Sequence, residues 1–104
     1  MEMKVDWTIY ATKKVEEIFK YYLERVNYRT GQNIIQTIIK KTEDLEKNPF
    51  LGQTEDLLKN YKKDYRYLVS GNYKIIYLVK SKSIDIVTVF DTRQNPTKIK
   101  EFQI

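Results

Sequence analysis

Residues 65–90 read YRYLVSGNYKIIYLVKSKSIDIVTVF, and this stretch decides the fold. Three runs rich in β-branched and aromatic residues, 65–69, 73–79 and 84–90, are separated by Ser70-Gly71-Asn72 and Ser81-Lys82-Ser83. Both separators have hairpin-turn composition, and connections this short force antiparallel neighbours. The third run is apolar at consecutive positions, which fits a strand covered on both faces inside the sheet.

Working toward the N-terminus, residues 49–60 around Pro49-Phe50-Leu51-Gly52 read as a loop or short helical turn. Before them lie two amphipathic helices. The first opens at about Ile9 behind Thr8, whose hydroxyl can cap an unpaired backbone N–H. Its apolar positions Ala11, Val15, Ile18, Phe19, Tyr22 and Val26 recur at three and four, and so share one face. The pattern ends it near Tyr28-Arg29 and starts the second helix after Thr30-Gly31, with the stripe Ile34, Ile35, Ile38, Ile39 and Leu45. Asn48-Pro49 stops that helix, because proline disfavours helical geometry in the residue before it. Residues 3–8 alternate and read as a short strand joining the sheet. The expected fold is a single α+β domain over residues 1–104, ordered β-α-α-β-β-β, with a helical hairpin packed on an antiparallel sheet. The tail carrying Ile99, Phe102 and Ile104 reads either as a partner-contact surface or as a short strand tucked onto the body.

The residue inventory narrows the chemistry. Histidine and cysteine are both absent, which removes the commonest general base, the commonest metal ligand and the thiolate nucleophile. No disulfides, no metal and no cofactor are expected. No apolar run reaches the roughly 18 residues needed to span a bilayer, and Met1-Glu2-Met3-Lys4 lacks an apolar signal core, so a cytoplasmic location without membrane contact is expected. The carboxylates Glu16/Glu17, Glu43/Asp44/Glu46 and Glu55/Asp56 read as solvated surface charge. The net charge of +5 is uneven: residues 1–48 hold nine basic and eight acidic residues, residues 49–104 ten and six. The stretch 59–82 holds seven basic residues against Asp64 alone. Such a field either attracts a polyanion or an acidic protein, or simply solvates the surface.

Cations and phenols remain. Arg66, Lys74 and Arg93 fall on or just beyond the strands, where a basic group can stabilise charge developing on a phosphorane. They are the candidate catalytic residues; for Arg66 the competing reading is a structural ion-pair residue facing the helices. Tyr73, Tyr77, Lys62 and Lys63 are candidates for contacting RNA or a partner, since cations among aromatics on a sheet hold phosphates and stack bases. For Tyr73 and Tyr77, ordinary cross-strand packing is the competing reading. Asp91 and Arg93 read either as a local ion pair ordering the tail or as a pair in which Arg93 contacts a ligand. Removing the charge at Lys74 or Arg93 is expected to leave thermal stability nearly unchanged.

The succession Arg66-x-Leu68, Gly71-Asn-Tyr73-Lys74-Ile-Ile-Tyr77 and Ile86-Val-Thr-Val-Phe-Asp-Thr-Arg93-Gln-Asn-Pro96 resembles the second half of RelE/ParE-superfamily toxins. The front half, with Trp7 closing a strand and Gly52 just after Asn48-Pro49, agrees. The resemblance implies the toxin of a type II toxin–antitoxin system, of the kind tied to plasmid stabilisation and growth inhibition, held by a cognate antitoxin, and the basic, aromatic-rich surface leads to the expectation that this antitoxin is acidic and partly disordered alone. RelE-like members are metal-independent endoribonucleases that cut mRNA on the ribosome; ParE-like members inhibit DNA gyrase and are not nucleases. The family's Tyr-Arg position carries Lys74 here, and Gln94-Asn95-Pro96 stands where a tail with a terminal tyrosine is usual. Arg66-x-Leu68 and Arg93-x-x-Pro96 resemble the ParE side. Two other classes stay open: a repurposed protein-binding domain of this fold and a plain nucleic-acid-binding module.

Overall fold

The computed structural model describes residues 2–103, and the tail residue Ile104 lies outside the described residues. Five strands and two helices follow the order β1 (Lys4–Trp7), α1 (Ile9–Arg25), α2 (Tyr28–Glu43), β2 (Gln53–Thr54), β3 (Tyr65–Ser70), β4 (Tyr73–Val79) and β5 (Ser83–Asp91). Short 3-10 helices occupy Asp44–Glu46, Asp56–Tyr61 and Pro96–Gln103. The helical hairpin packs on one sheet of order β1-β5-β4-β3-β2, the α+β arrangement expected from the sequence. The β3–β4–β5 meander is antiparallel as its short turns require. β1 joins the sheet parallel to β5, so the sheet is mixed; with about seventy residues between them, no short turn dictates direction. β2 is too short for a visible alternation. It pairs Gln53 with Tyr67 and Thr54 with Arg66 inside the segment read as a loop.

Thr8 caps α1 as its position suggests: its Oγ1 accepts from the Ala11 N–H at 3.1 Å and donates to the Ile86 carbonyl at 2.9 Å, tying the helix start to β5. The helix junction falls earlier than the periodicity places it. α1 ends at Arg25, and Asn27 caps α2 by accepting from the Thr30 N–H at 2.8 Å. Asparagine is a strong N-cap, so one side chain both ends the join and starts the next helix. Gly31 therefore lies inside α2, buried, where a Cβ would stand 3.1 Å from the Phe19 ring. α2 gives way to the 3-10 helix at Asp44, which swings Leu45 into the core before Pro49 is reached.

Both faces of the sheet are covered. Toward the helices, Ala11, Ile38 and Leu45 meet Tyr73, Ile75, Tyr77, Ile84, Ile86 and Val89. On the far face, Leu58 and Ile99 cover Tyr65, Ile76, Val87 and Phe90. The tail is thus tucked onto the body, as a 3-10 helix rather than a strand. Ile99 is buried, Phe102 stacks edge-on with Tyr65 at 5.7 Å, and Gln103 Nε2 donates to Tyr65 Oη at 3.0 Å. A β-bulge sets what each face presents. Ile76 pairs with Thr88 but Tyr77 with Ile86, leaving Val87 as an extra residue. A bulge of one residue inverts the alternation beyond it. Phe90 consequently joins the far face, and Asp91, the partner of Tyr73, joins the helix face.

Candidate functional site

Lys74, the second residue of β4, lies on the far face. Its Nζ meets Glu55 Oε2 at 2.9 Å and sits 4.2 Å from the centre of the Tyr67 ring. The Glu55 side chain keeps only 3% of its exposure and that of Lys74 26%. Glu55, read from sequence as solvated, is therefore a buried carboxylate. Its backbone N–H donates to the Tyr65 carbonyl at 2.9 Å and its carbonyl accepts from Leu58 at 3.1 Å. Those bonds hold it against the sheet 19 residues from its partner, a separation at which no sequence pattern announces a pair. The burial of this pair argues against the expectation that removing the Lys74 charge leaves thermal stability nearly unchanged, because Glu55 would then be buried without a partner.

Arg66 points the other way. It pairs across with Tyr77, on the helix side. Its Nε donates to Asp64 Oδ1 and its Nη1 to the Gly52 carbonyl, both at 2.9 Å, and Phe50 lies 5.0 Å away, ring centre to guanidinium. Tyr77 is wholly buried, and its Oη accepts from the Gly52 N–H at 2.8 Å. Burial pushes its phenol up, offset in part by that N–H. A Cβ on residue 52 would stand 2.5 Å from the Tyr67 carbonyl and 2.7 Å from the Tyr77 hydroxyl, so only glycine lets the loop close here. Arg66, Gly52 and Tyr77 form a knot fastening the 50–54 segment to the sheet.

Arg93 lies two residues past the end of β5. Its Nε and Nη2 clamp the two carboxylate oxygens of Asp91 at 2.9 and 2.8 Å, while its own N–H donates to Asp91 Oδ1 at 2.9 Å. The hydrogen bond from Arg93 holds the Asp91 carboxyl below its ordinary range. Tyr73 lies alongside, buried, with its hydroxyl 3.3 Å from that of Tyr22. Burial and Tyr22 push its phenol well above the usual range. The side chain of Arg93 is half exposed and borders a cleft of about 340 Å³ between α1 and the tail, lined also by Tyr10, Lys14, Tyr21, Lys98 and Glu101. Lys62 and Lys63 are exposed in the loop before β3.

The three candidate cations are not brought together. Lys74 occupies the far face, Arg66 the helix side near β2, and Arg93 the helix side beyond β5. The bulge at Val87 separates Lys74 from Arg93, and strict alternation gave no sign of it. Tyr22 and Glu55, which complete the two polar clusters, carry no local signal.

The fold is similar to a solved structure described as the chromosomal ParDE TA system from P. aeruginosa, with a TM-score of 0.73 and 18% sequence identity, over 86% of this chain and 96% of that one. At that identity the likeness concerns the fold. No curated protein matches the chain. A family model described as ParE toxin of type II toxin-antitoxin system, parDE, matches residues 5–96, nearly all of the fold from β1 to beyond Arg93, and the chain therefore belongs to the ParE toxin family of type II toxin–antitoxin systems.

Proposed function

We propose that this chain is the toxin of a type II module, that it arrests growth in the cytoplasm by binding DNA gyrase rather than by cutting mRNA, and that a cognate antitoxin restrains it. The Lys74–Glu55 pair carries the reading. Phosphodiester cleavage needs a cation able to follow charge onto the phosphorane. The far face holds its Lys74 against a buried carboxylate, and neither Arg66 nor Arg93 reaches that face. Binding a protein target asks only for an exposed, shaped surface with aromatic and arginine anchors. The cleft around Arg93, Tyr10 and Tyr21 offers that.

The antitoxin is proposed to be acidic and partly disordered alone, gaining order as it lays carboxylates beside cations and apolar side chains on exposed ones. Among the described residues, β2 pairs only with Arg66 and Tyr67, so no strand covers the outer edge of β3 from Leu68 onward. Val69 on that edge, and Phe50 and Leu51 just before β2, are exposed, and Lys41 donates to the Val69 carbonyl.

The test is induced expression with plasmid topoisomers and mRNA ends followed together, alongside purified gyrase treated with the protein. The reading expects arrest with relaxed plasmid and intact transcripts. Arrest with cut transcripts and normal supercoiling would give the RelE-like alternative, and no arrest at all would give the repurposed binding domain.

A further inference from the structure

The burial of Glu55 needs an explanation that stability does not supply. A buried ion pair is commonly no more stabilising than apolar residues of the same volume. This one is also carefully delivered: pairing with β3 and the turn at Leu58 fix the backbone of Glu55, so that its carboxylate meets an amino group on a different strand. Without that carboxylate, Lys74 would stand unpaired over the Tyr67 ring on the far face of the sheet, in a stretch of sequence, 59–82, with seven basic residues against Asp64. A cation beside an aromatic ring is a composition that holds a nucleic-acid backbone. The 2.9 Å contact to Glu55 Oε2 is the distance a phosphate oxygen would take. Lys74 keeps about a quarter of its exposure, so an outside oxygen can approach once the inner one is gone.

We propose that Glu55 is a built-in anion that occupies Lys74 and withholds it from phosphodiester groups, making Glu55 a specificity-determining residue of this toxin. It positions no reacting group; it fills the phosphate's place. The mask rests on the reading that the wild-type chain is not a nuclease, but not on gyrase being its target.

The test uses purified full-length wild type, Glu55→Gln, Glu55→Asp, and each variant combined with Lys74→Met, titrated with labelled six-nucleotide single-stranded RNA and DNA at several salt concentrations. Glu55→Gln should bind about fivefold to tenfold more tightly than wild type, with the log–log salt slope steeper by about 0.7 for one new phosphate contact. Glu55→Asp, which keeps a buried carboxylate but draws it back from Lys74, should show part of the gain, and it decides the matter if Glu55→Gln fails to fold. The Lys74→Met combinations should lose the gain. A gain with RNA, with DNA or with both supports the mask and identifies the backbone it excludes. In the wild-type protein, the Lys74 ε-methylene resonance should stay in place at saturating oligonucleotide. Its movement, the absence of any gain in a folded Glu55 variant, or a gain that survives loss of Lys74 would each overturn the proposal. Gyrase inhibition by the wild type, measured in parallel, separates the two readings: its absence removes the gyrase target and leaves the mask standing.

Discussion

Lys74 and Arg93 are each paired with a carboxylate, yet the pairs behave differently because one is desolvated and the other is not. Lys74→Met leaves the Glu55 carboxylate buried at 3% exposure and should cost about 2–3 kcal/mol by urea denaturation, somewhat less than a fully enclosed pair because Lys74 is partly solvated. Adding Glu55→Gln should restore part of that loss. Arg93 is half exposed and its pair is local, so Arg93→Ala should melt close to wild type while abolishing growth arrest on induction. Undiminished toxicity would remove Arg93 from the functional surface. The same clamp predicts an acid limb. The Asp91 carboxyl lies below its ordinary 3.8, so the stability it contributes is complete above that value and fades as pH falls through the lowered one. Asp91→Asn should flatten the loss of stability below about pH 4 in equilibrium denaturation. Tyr73 works in the opposite sense. Its raised phenol contributes stability that is full below the ordinary value of 10.0 and is lost as pH climbs toward the raised one.

Among the elements, α2 is the one whose periodicity translates most directly into burial. Ile38 is fully buried, Ile34 packs beside it, and Leu45, in the 3-10 turn just past the helix, is fully buried too, whereas Ile39, counted in the same stripe, stays exposed. Ile38→Asp places an unpaired charge between hairpin and sheet and should abolish the cooperative thermal transition seen by circular dichroism. A variant that melts like wild type would mean the α2 stripe does not face the core. The strands translate less simply. Alternation within β3 and β4 survives into the structure, with Tyr65 and Tyr67 opposite Arg66 and Leu68. In β5 the bulge inverts it halfway. A run apolar at every position hides such an inversion, because each residue is acceptable on either face.

The whole molecule is a mixed sheet covered on one side by the hairpin and on the other by 3-10 segments; apolar side chains meet solvent at the β3 edge, at Val69, and also on the helices, at Ile9, Val26 and Tyr28. Co-expression with the adjacent open reading frame is expected to yield a stable complex whose partner is acidic, partly disordered alone, and buries well over ~1,000 Å² in total. Exchange protection of Leu68–Ser70 amides on binding would locate it there. Purification of the chain as a harmless lone monomer would favour the repurposed-domain reading. The order of elements, the hairpin on the sheet, the antiparallel meander and the cap at Thr8 were all legible in the sequence, because periodicity, turn composition and capping are local and each residue reports its own neighbourhood. The parallel seating of β1, the bulge at Val87 and the burial of Glu55 were not. Each depends on contacts between residues far apart in the chain, and one extra residue in one strand was enough to place Lys74 and Arg93 on opposite sides of the sheet.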